Sequence, residues 1–256
     1  MLIPDLDRAR RFVAAHPPPG ELILCGVTGS HHYGFPSHDS DVDLKGIHLA
    51  PARALLGLEV PRETHDALLD FEGVEHDLTT HEAQKALGLL LRGNGNMLER
   101  ILSPLQLVES DDTRALAELA SGSLSTRFFG HYRGYFAGMR REHETRRQAK
   151  SLLYTYRVAL TGVHLLRTGE LRADVLANAA EYGEGGLEEL VAFKRERGEK
   201  ATIDPALDAT HRARWPHLEA MLEEARAASP LPAEPRNAAA LGEWLIERRL
   251  RALASR

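Results

Sequence analysis

The residues from Asp41 to Leu49 read DVDLKGIHL and alternate polar with apolar side chains. A period of two is typical of a β-strand with one buried face. Side chains two positions apart project from the same face of a strand, so the carboxylates of Asp41 and Asp43 are predicted to lie side by side. The sequence therefore predicts a rigid strand that presents a pair of acidic groups.

A second apolar run lies upstream, from Glu21 to Val27 (ELILCGV), and turn residues bound it on both sides, which predicts a buried strand. A polar loop from Thr28 to Ser40 joins the two strands and begins near Gly29-Ser30. A glycine directly after a strand lets backbone N–H groups approach a phosphate, and a serine hydroxyl adds another donor. We therefore expect a small phosphate-binding loop opposite the carboxylates.

A third strand is predicted over Gly73 to Thr80, and it supplies a third candidate carboxylate, Asp77. Glu75 on the same strand face and Asp70 upstream are the alternatives, but the apolar neighbours of Asp77 favour it. Clustered carboxylates stay ionised only beside a cation. Mg²⁺ takes oxygen ligands, and two such ions roughly 3.5–4 Å apart can activate a hydroxyl and stabilise a leaving pyrophosphate. We therefore expect a magnesium site, with Mn²⁺ as the alternative ion.

The chain divides into a strand-containing first part and a helical remainder. In the first part, helices are predicted over residues 5–15 and 81–92, and the second ends at Gly93-Asn94-Gly95-Asn96. Further helices are predicted over residues 112–119, 127–147, 149–168, 187–197, 213–227 and 238–253. The expected fold is α+β, with one domain over residues 1–120 and a second, helical domain over residues 121–256.

Composition excludes several classes of protein. The chain has 256 residues, 43% of them hydrophobic, with 32 Lys and Arg against 37 Asp and Glu, so the formal net charge is −5. This balance argues against a protein that coats nucleic acid by bulk charge, and no apolar run approaches the roughly 20 residues of a membrane span. The single cysteine, Cys25, excludes a disulfide framework and a cysteine-based zinc cluster, and predicts a reducing cytoplasm.

The charge is unevenly distributed, with −9 on residues 1–120 and +4 on residues 121–256. This asymmetry indicates either a division between metal chemistry and polyanion binding or merely a solvated helix face. Lys150, Tyr154 and Arg157 stand at i, i+4 and i+7, on one face of a predicted helix. That face either covers a triphosphate, with Tyr154 stacked on the base, or carries a core tyrosine and a solvated cationic edge.

Three motifs resemble those of the DNA polymerase beta-like nucleotidyltransferase superfamily. The first two are Gly29-Ser30-His31-His32-Tyr33-Gly34 and Ser40-Asp41-Val42-Asp43-Leu44-Lys45-Gly46. The third is Gly93-Asn94-Gly95-Asn96-Met97-Leu98-Glu99, which is similar to Gly-Asn-x-Asn-x-x-Glu in the bacterial and phage branch that includes the RNA-ligase-associated polymerases of RNA repair. The resemblance covers about residues 22–168. It implies a nucleotidyltransferase-type mixed β-sheet flanked by helices, followed by a mostly helical C-terminal domain.

The resemblance also implies roles for individual residues. Asp41, Asp43 and Asp77 are the expected catalytic residues and ligands of two metal ions, with Asp77 helping to activate the incoming hydroxyl. Asn94 and Asn96 either contact substrate or cap the following helix. The residues expected to bind the nucleotide are Gly29, Ser30, Ser40, Lys150, Tyr154 and Arg157.

The predicted function is a nucleotidyltransferase that moves a nucleoside monophosphate from a nucleoside triphosphate to a hydroxyl group and releases pyrophosphate. An RNA 3′ end, such as that of a tRNA, is the first choice of acceptor. A protein side chain or an antibiotic-like small molecule is the second choice. A non-catalytic nucleotide sensor, or an antitoxin-like partner, is a third reading, although three clustered carboxylates argue against it. No membrane partner is expected, and the sequence leaves the oligomeric state undetermined.

Overall fold

The computed structural model of the chain describes residues 4–58 and 60–254. It contains two compact units. The first, here called the sheet unit, comprises residues 4–29, 41–124 except residue 59, and 235–254. The second, here called the helical unit, comprises residues 30–40 and 125–234.

Four strands form one sheet in the order β1-β2-β4-β3. They are β1 (Glu21–Val27), β2 (Val42–Leu49), β3 (Thr64–Phe71) and β4 (Val74–Glu82). Strand β2 pairs antiparallel with β1 and parallel with β4, and β3 pairs antiparallel with β4. The predicted α+β fold with a mixed sheet is thus confirmed.

The helices are numbered in chain order. Those from the first half of the chain are α1 (Leu6–Ala15), α2 (Gly29–Tyr33), α3 (Ala52–Leu55), α4 (Ala83–Leu91), α5 (Gly95–Leu102) and α6 (Asp111–Gly122). Those from the second half are α7 (Phe128–Arg146), α8 (Ala149–Thr168), α9 (Val175–Tyr182), α10 (Leu187–Arg197), α11 (Pro205–Arg212), α12 (Trp215–Ala227) and α13 (Ala238–Ala254).

The core of the sheet unit fixes the orientation of its strands. Val42, Leu44 and Leu78 pack in one buried cluster with Phe12 of α1. Because strand side chains alternate between faces, burying these positions directs the odd-numbered side chains of β2 and β4 to the opposite face. Helix α13 also belongs to this unit, and Arg248 links it to Glu21 and Asp112 through ion pairs.

Helix α8 forms the centre of the helical unit, where 16 of its 20 residues are buried. A helix that is apolar on most sides is one that packs inside a protein rather than on its surface. Close packing with α7 requires a glycine at position 162, since an added Cβ there would lie 2.6 Å from Tyr132 Cβ. The prediction of a largely helical second part is confirmed by these elements.

Several local predictions differ from the structure. The predicted loop over residues 28–40 contains the short helix α2, and strand β3 was not predicted at all. The division into domains at residue 120 stays a prediction. The elements that the sequence did not predict also include α3, α5, α9 and α11.

Among residues 4–58 and 60–254, no helix is both long and apolar enough to cross a membrane.

Candidate active site

Asp43 and Asp77 form an acidic pair on the sheet unit. Asp43 lies in β2 and Asp77 in β4, and the parallel pairing of these strands places the two residues directly in register. Register partners on adjacent strands face the same side of a sheet, so the two carboxylates share one face. Both side chains reach solvent, with 19% of Asp43 and 38% of Asp77 exposed. The structure therefore brings together two of the three acids expected at the site, one from each strand.

Lys45 places its ammonium group against both carboxylates. Its Nζ lies 2.8 Å from Asp77 Oδ2 and 3.6 Å from Asp43 Oδ1. It also donates to the carbonyl oxygen of Asp77 at 3.3 Å and to Thr79 Oγ1 at 3.5 Å. Lys45 follows Asp43 by two residues, so strand alternation puts both side chains on the same face. The chain itself thus supplies a cation to the acidic pair.

Gly29 brings the backbone into close contact with Asp43. It adopts a φ of +65°, and a Cβ at this position would lie only 2.0 Å from Asp43 Oδ2. Only glycine adopts this conformation without strain while leaving room for the carboxylate. The neighbouring backbone N–H of Thr28 donates to the carbonyl oxygen of Asp43 at 2.9 Å. The glycine predicted to open a phosphate-binding loop therefore contacts a predicted metal ligand.

The acidic pair has the donor chemistry that a hard divalent cation requires. Carboxylate oxygens are the preferred ligands of Mg²⁺, and the Lys45 ammonium shows that Asp43 and Asp77 accommodate a positive group. Asp41 precedes β2 by one residue and is partly buried. Within the described part of the chain, no three or more His, Cys, Asp or Glu residues are arranged to hold a metal ion. The carboxylates of Asp43 and Asp77 therefore fit a divalent cation, and the ligand role of Asp41 stays a prediction.

Ser30 and Ser40 lie in the helical unit and differ in their surroundings. Ser30 is buried in α2, and its Oγ makes no hydrogen bond with any residue that the structure describes. A buried hydroxyl without a partner is uncommon in proteins. Ser40 Oγ, in contrast, donates to Glu199 Oε1 at 2.7 Å. Nucleotide binding by either serine stays a prediction, and the surroundings of Ser30 suit it better.

Glu199 and Lys194 form a buried ion pair beneath the loop of residues 35–40. Lys194 Nζ lies 2.6 Å from Glu199 Oε1 and also donates to Ser37 Oγ at 3.0 Å. Burial lowers the pKa of Lys194, and its bond to Glu199 opposes this without overcoming it. Burial would raise the pKa of Glu199, but hydrogen bonds from Lys150, Lys194 and Ser40 outweigh it and lower that pKa. These hydrogen bonds thus favour the anionic form of Glu199 beside Lys194 inside the helical unit.

Lys150, Tyr154 and Arg157 are brought together along α8, but each has a partner. Lys150 forms an ion pair with Glu199. The ring of Tyr154 packs edge-on against Tyr33, with centroids 5.6 Å apart. Arg157 is fully buried, and its guanidinium lies 3.9 Å from the centre of the Tyr33 ring. The predicted role of these three residues in nucleotide binding stays a prediction, because their contacts also describe a packed core.

Three residues of these clusters were not predicted from the sequence. Lys45 had a usable signal, since it lies two positions after Asp43 on the predicted strand. Lys194 and Glu199 had none, because they contact Ser37 and Ser40, more than 150 positions away in the chain. Such contacts depend on tertiary packing, which no local pattern encodes.

Comparison with known proteins identifies the family. The profile of the RNA repair pathway DNA polymerase beta family, RlaP, matches residues 4–247. The chain belongs to this family. The predicted resemblance is thereby confirmed, and the predicted enzyme class, a nucleotidyltransferase, is confirmed at the level of the family. The RlaP match also includes most of the tail beyond residue 168, where the sequence offered no motif.

Two individual proteins are similar to this member of the RlaP family. An uncharacterized protein of Methanocaldococcus jannaschii is 26% identical over 154 residues, which cover 59% of this chain and 63% of that protein. This chain therefore spans less than two thirds of the length of that relative. A crystal structure of a nucleotidyltransferase-like protein from Exiguobacterium sibiricum matches with a TM-score of 0.35 and 15% identity, covering 96% of this chain and 76% of that one.

The third motif lies in the sheet unit of this RlaP member. Asn94 is the N-cap of α5, and its Oδ1 accepts the backbone N–H of Met97 at 3.2 Å. Glu99, at the end of the motif, is buried in the same helix. The capping role is thus present at Asn94, and substrate contact by Asn94 or Asn96 stays a prediction.

Proposed function

We propose that this chain is a magnesium-dependent nucleotidyltransferase that adds a nucleoside monophosphate from a nucleoside triphosphate to an RNA 3′ end, such as that of a tRNA. The observation that carries the proposal is the acidic pair Asp43 and Asp77, held in register on one sheet face. RNA is the preferred acceptor because the chain belongs to a family of RNA repair polymerases. Its single cysteine, which is buried, suits a reducing cytoplasm.

The reaction needs an acceptor hydroxyl near the acidic pair. The oxygen of that hydroxyl attacks the α-phosphorus, the bond from this phosphorus to the bridging oxygen breaks, and pyrophosphate leaves. The carboxylate of Asp77 accepts the proton of the hydroxyl, since it is the more exposed of the two acids. Gly29 keeps the backbone close to Asp43, which lets the loop N–H groups approach the phosphates.

Asp41, Asp43 and Asp77 would hold Mg²⁺, with Mn²⁺ as the alternative ion. The proposal of two ions comes from the chemistry of the polymerase beta-like superfamily. When bound, the metal would supply positive charge for the phosphates and for the departing pyrophosphate. The carboxylates of this chain supply the negative charge that retains such ions.

The test incubates the purified chain with Mg²⁺, labelled nucleoside triphosphates and total RNA, and follows the label. We expect labelled RNA, and a loss of at least about a hundredfold in rate for Asp43→Asn and Asp77→Asn, because each removes a charge from the reacting centre. Glu75→Gln is the matched control, since it also removes an acid of β4, and we expect it to keep most activity. Labelled RNA at an undiminished rate in the two aspartate variants would contradict the mechanism.

The same assay separates the other readings. Parallel incubations would contain total protein or hydroxylated small molecules in place of RNA. If only one of these classes became labelled, that class would be the acceptor. Tight nucleotide binding without transfer to any acceptor would favour the non-catalytic sensor or antitoxin-like partner. Either result would replace RNA as the proposed acceptor.

A further inference from the structure

We propose that Lys45 is a resident counterion, whose ammonium occupies the cation position between Asp43 and Asp77 and must leave before a divalent ion binds there. This inference rests on the proposed metal-dependent function. It assigns a positioning role to a residue that the proposed reaction does not otherwise use.

The ammonium of Lys45 is surrounded by oxygen atoms. It lies 2.8 Å from Asp77 Oδ2, 3.3 Å from the Asp77 carbonyl oxygen, 3.5 Å from Thr79 Oγ1 and 3.6 Å from Asp43 Oδ1. Carboxylate, carbonyl and hydroxyl oxygens are also the groups that bind hard divalent ions. The ammonium of Lys45 therefore contacts the same oxygen atoms that a metal ion would bind. The lysine and the metal ion cannot occupy this position together.

Lys45 is unusually confined for a lysine. Only 20% of its side chain is exposed, whereas most lysines keep the ammonium in water. In an exposed ion pair, water screens the two charges and their attraction contributes little. Lys45 is less exposed to water, so its attraction to the two carboxylates is stronger. The sheet unit thus supplies a positive charge to its acidic pair without a bound metal.

A resident counterion links metal binding to the arrival of the nucleotide. A free divalent ion must displace the ammonium, so its affinity is reduced. An ion that arrives with a triphosphate brings anionic oxygens with it, and these give the displaced ammonium a new partner. The site would therefore hold its metal mainly when the nucleotide is present.

The test measures Mn²⁺ binding by the full chain without nucleotide, using the electron paramagnetic resonance signal of free Mn²⁺. We expect Lys45→Met to bind Mn²⁺ at least about fivefold more tightly than the unaltered chain, because both the competitor and its repulsion are gone. Lys85→Met is the matched control, since Lys85 belongs to the same unit but donates to Thr64 Oγ1 at 2.6 Å. Unchanged or weaker binding by Lys45→Met, or equal tightening by Lys85→Met, would overturn the proposal.

Two further variants make the result specific. Lys45→Arg keeps the charge, so we expect it to bind Mn²⁺ as weakly as the unaltered chain; tightening equal to that of Lys45→Met would contradict the counterion role. In an Asp77→Asn background, we expect the effect of Lys45→Met to shrink, because one of the shared ligands is absent; an undiminished effect would contradict it.

The readout contains neither nucleotide nor acceptor, so it is independent of the transfer assay. A chain that transfers nucleotide but shows no change of Mn²⁺ affinity in Lys45→Met would disprove the counterion alone. A chain that transfers nothing but binds Mn²⁺ more tightly in Lys45→Met would disprove the function alone.

Discussion

At the scale of single residues, Gly29 sets how closely the backbone approaches Asp43. We expect Gly29→Ala to lose most nucleotide transfer, because its Cβ would lie 2.0 Å from Asp43 Oδ2 and the carboxylate would have to move. The φ of +65° adds a strain of about 1–3 kcal/mol. Transfer rates and urea unfolding of the variant would measure the two effects separately.

Gly73 provides the control for that substitution. It also has a positive φ, +78°, but an added Cβ would meet no atom within 4 Å. Gly73→Ala should therefore lose stability through strain alone, by roughly 1 kcal/mol, and keep its transfer rate. A Gly29→Ala variant as active as Gly73→Ala would show that contact with Asp43 is not needed.

Residue types and spacing predicted much of the candidate site. Alternation predicts one strand that carries Asp43 and another that carries Asp77, and the structure pairs these strands with the two acids in register. The spacing of Lys45 from Asp43 places both on one strand face, but it does not show that the ammonium of Lys45 also meets Asp77. Its role depends on the register between β2 and β4, which brings Asp77 within reach. Strands β2 and β4 lie far apart in the sequence, so tertiary packing sets their register and local sequence patterns do not predict it.

At the scale of elements, a buried ion pair anchors the loop of residues 35–40 to α10. Lys194 extends from α10 and donates to the carbonyl oxygen of Phe35 at 3.1 Å, to Ser37 Oγ and to Ser40 Oγ. Its side chain is fully buried, and Glu199 neutralises it from just beyond the end of the helix. This contact orders the residues that directly precede Asp41.

We expect Glu199→Gln to lower the free energy of unfolding by about 3–5 kcal/mol, because it leaves the Lys194 ammonium buried without a counter-charge. The matched control is Glu223→Gln, which breaks the exposed pair between Arg133 and Glu223 and should cost less than about 1 kcal/mol. Urea unfolding of the two variants provides the comparison. Equal losses would mean that burial of the Lys194 pair carries no special cost.

The stabilising effect of Glu199 should also depend on pH. Its pKa in the folded chain is below the ordinary value of 4.5, so its contribution is complete above pH 4.5 and is lost as pH falls through the lowered value. The difference in unfolding free energy between the unaltered chain and Glu199→Gln should therefore shrink in acid, and a difference that grew would contradict the pairing.

The elements that the sequence did not reveal have physical reasons as well. Strand β3 carries His65, Asp66 and Asp70, and its apolar Leu68 is exposed, so it lacks the usual pattern of one buried face. It pairs with β4 through a two-residue turn at Glu72 and Gly73, both with positive φ. Such turns are usually recognised by Asn-Gly or Asp-Gly. Glu72 instead accepts a hydrogen bond from Arg11 of α1 at 2.9 Å, a long-range contact that stabilises the turn.

At the scale of the whole molecule, the charge of each compact unit differs from the charge of the corresponding half of the sequence. The sheet unit has 15 Lys and Arg against 20 Asp and Glu, and the helical unit has 17 of each, counted over the complete sequence. Of the +4 of residues 121–256, +3 thus comes from residues 235–256, which carry five arginines and two glutamates and are counted with the sheet unit. Within the helical unit, several arginines of α7 are paired with acids: Arg133 with Glu223, Arg140 with Glu219 and Arg146 with Glu142.

Because most charged arginines of α7 already have acidic partners, we can predict which of them would bind RNA. Arg141 is exposed and forms no ion pair with any described residue, whereas Arg140 lies 3.0 Å from Glu219 Oε2 and its guanidinium stacks over the Trp215 ring. If RNA contacts α7, Arg141→Ala should reduce the slope of log K against log salt concentration by about one, because one phosphate contact is lost. Arg140→Ala should leave the slope unchanged, since its charge is already compensated.

Fluorescence anisotropy of a labelled RNA at several salt concentrations would measure both slopes. Equal slopes for the two variants would remove α7 from the RNA-binding surface, and an affinity insensitive to salt would favour a small acceptor over RNA.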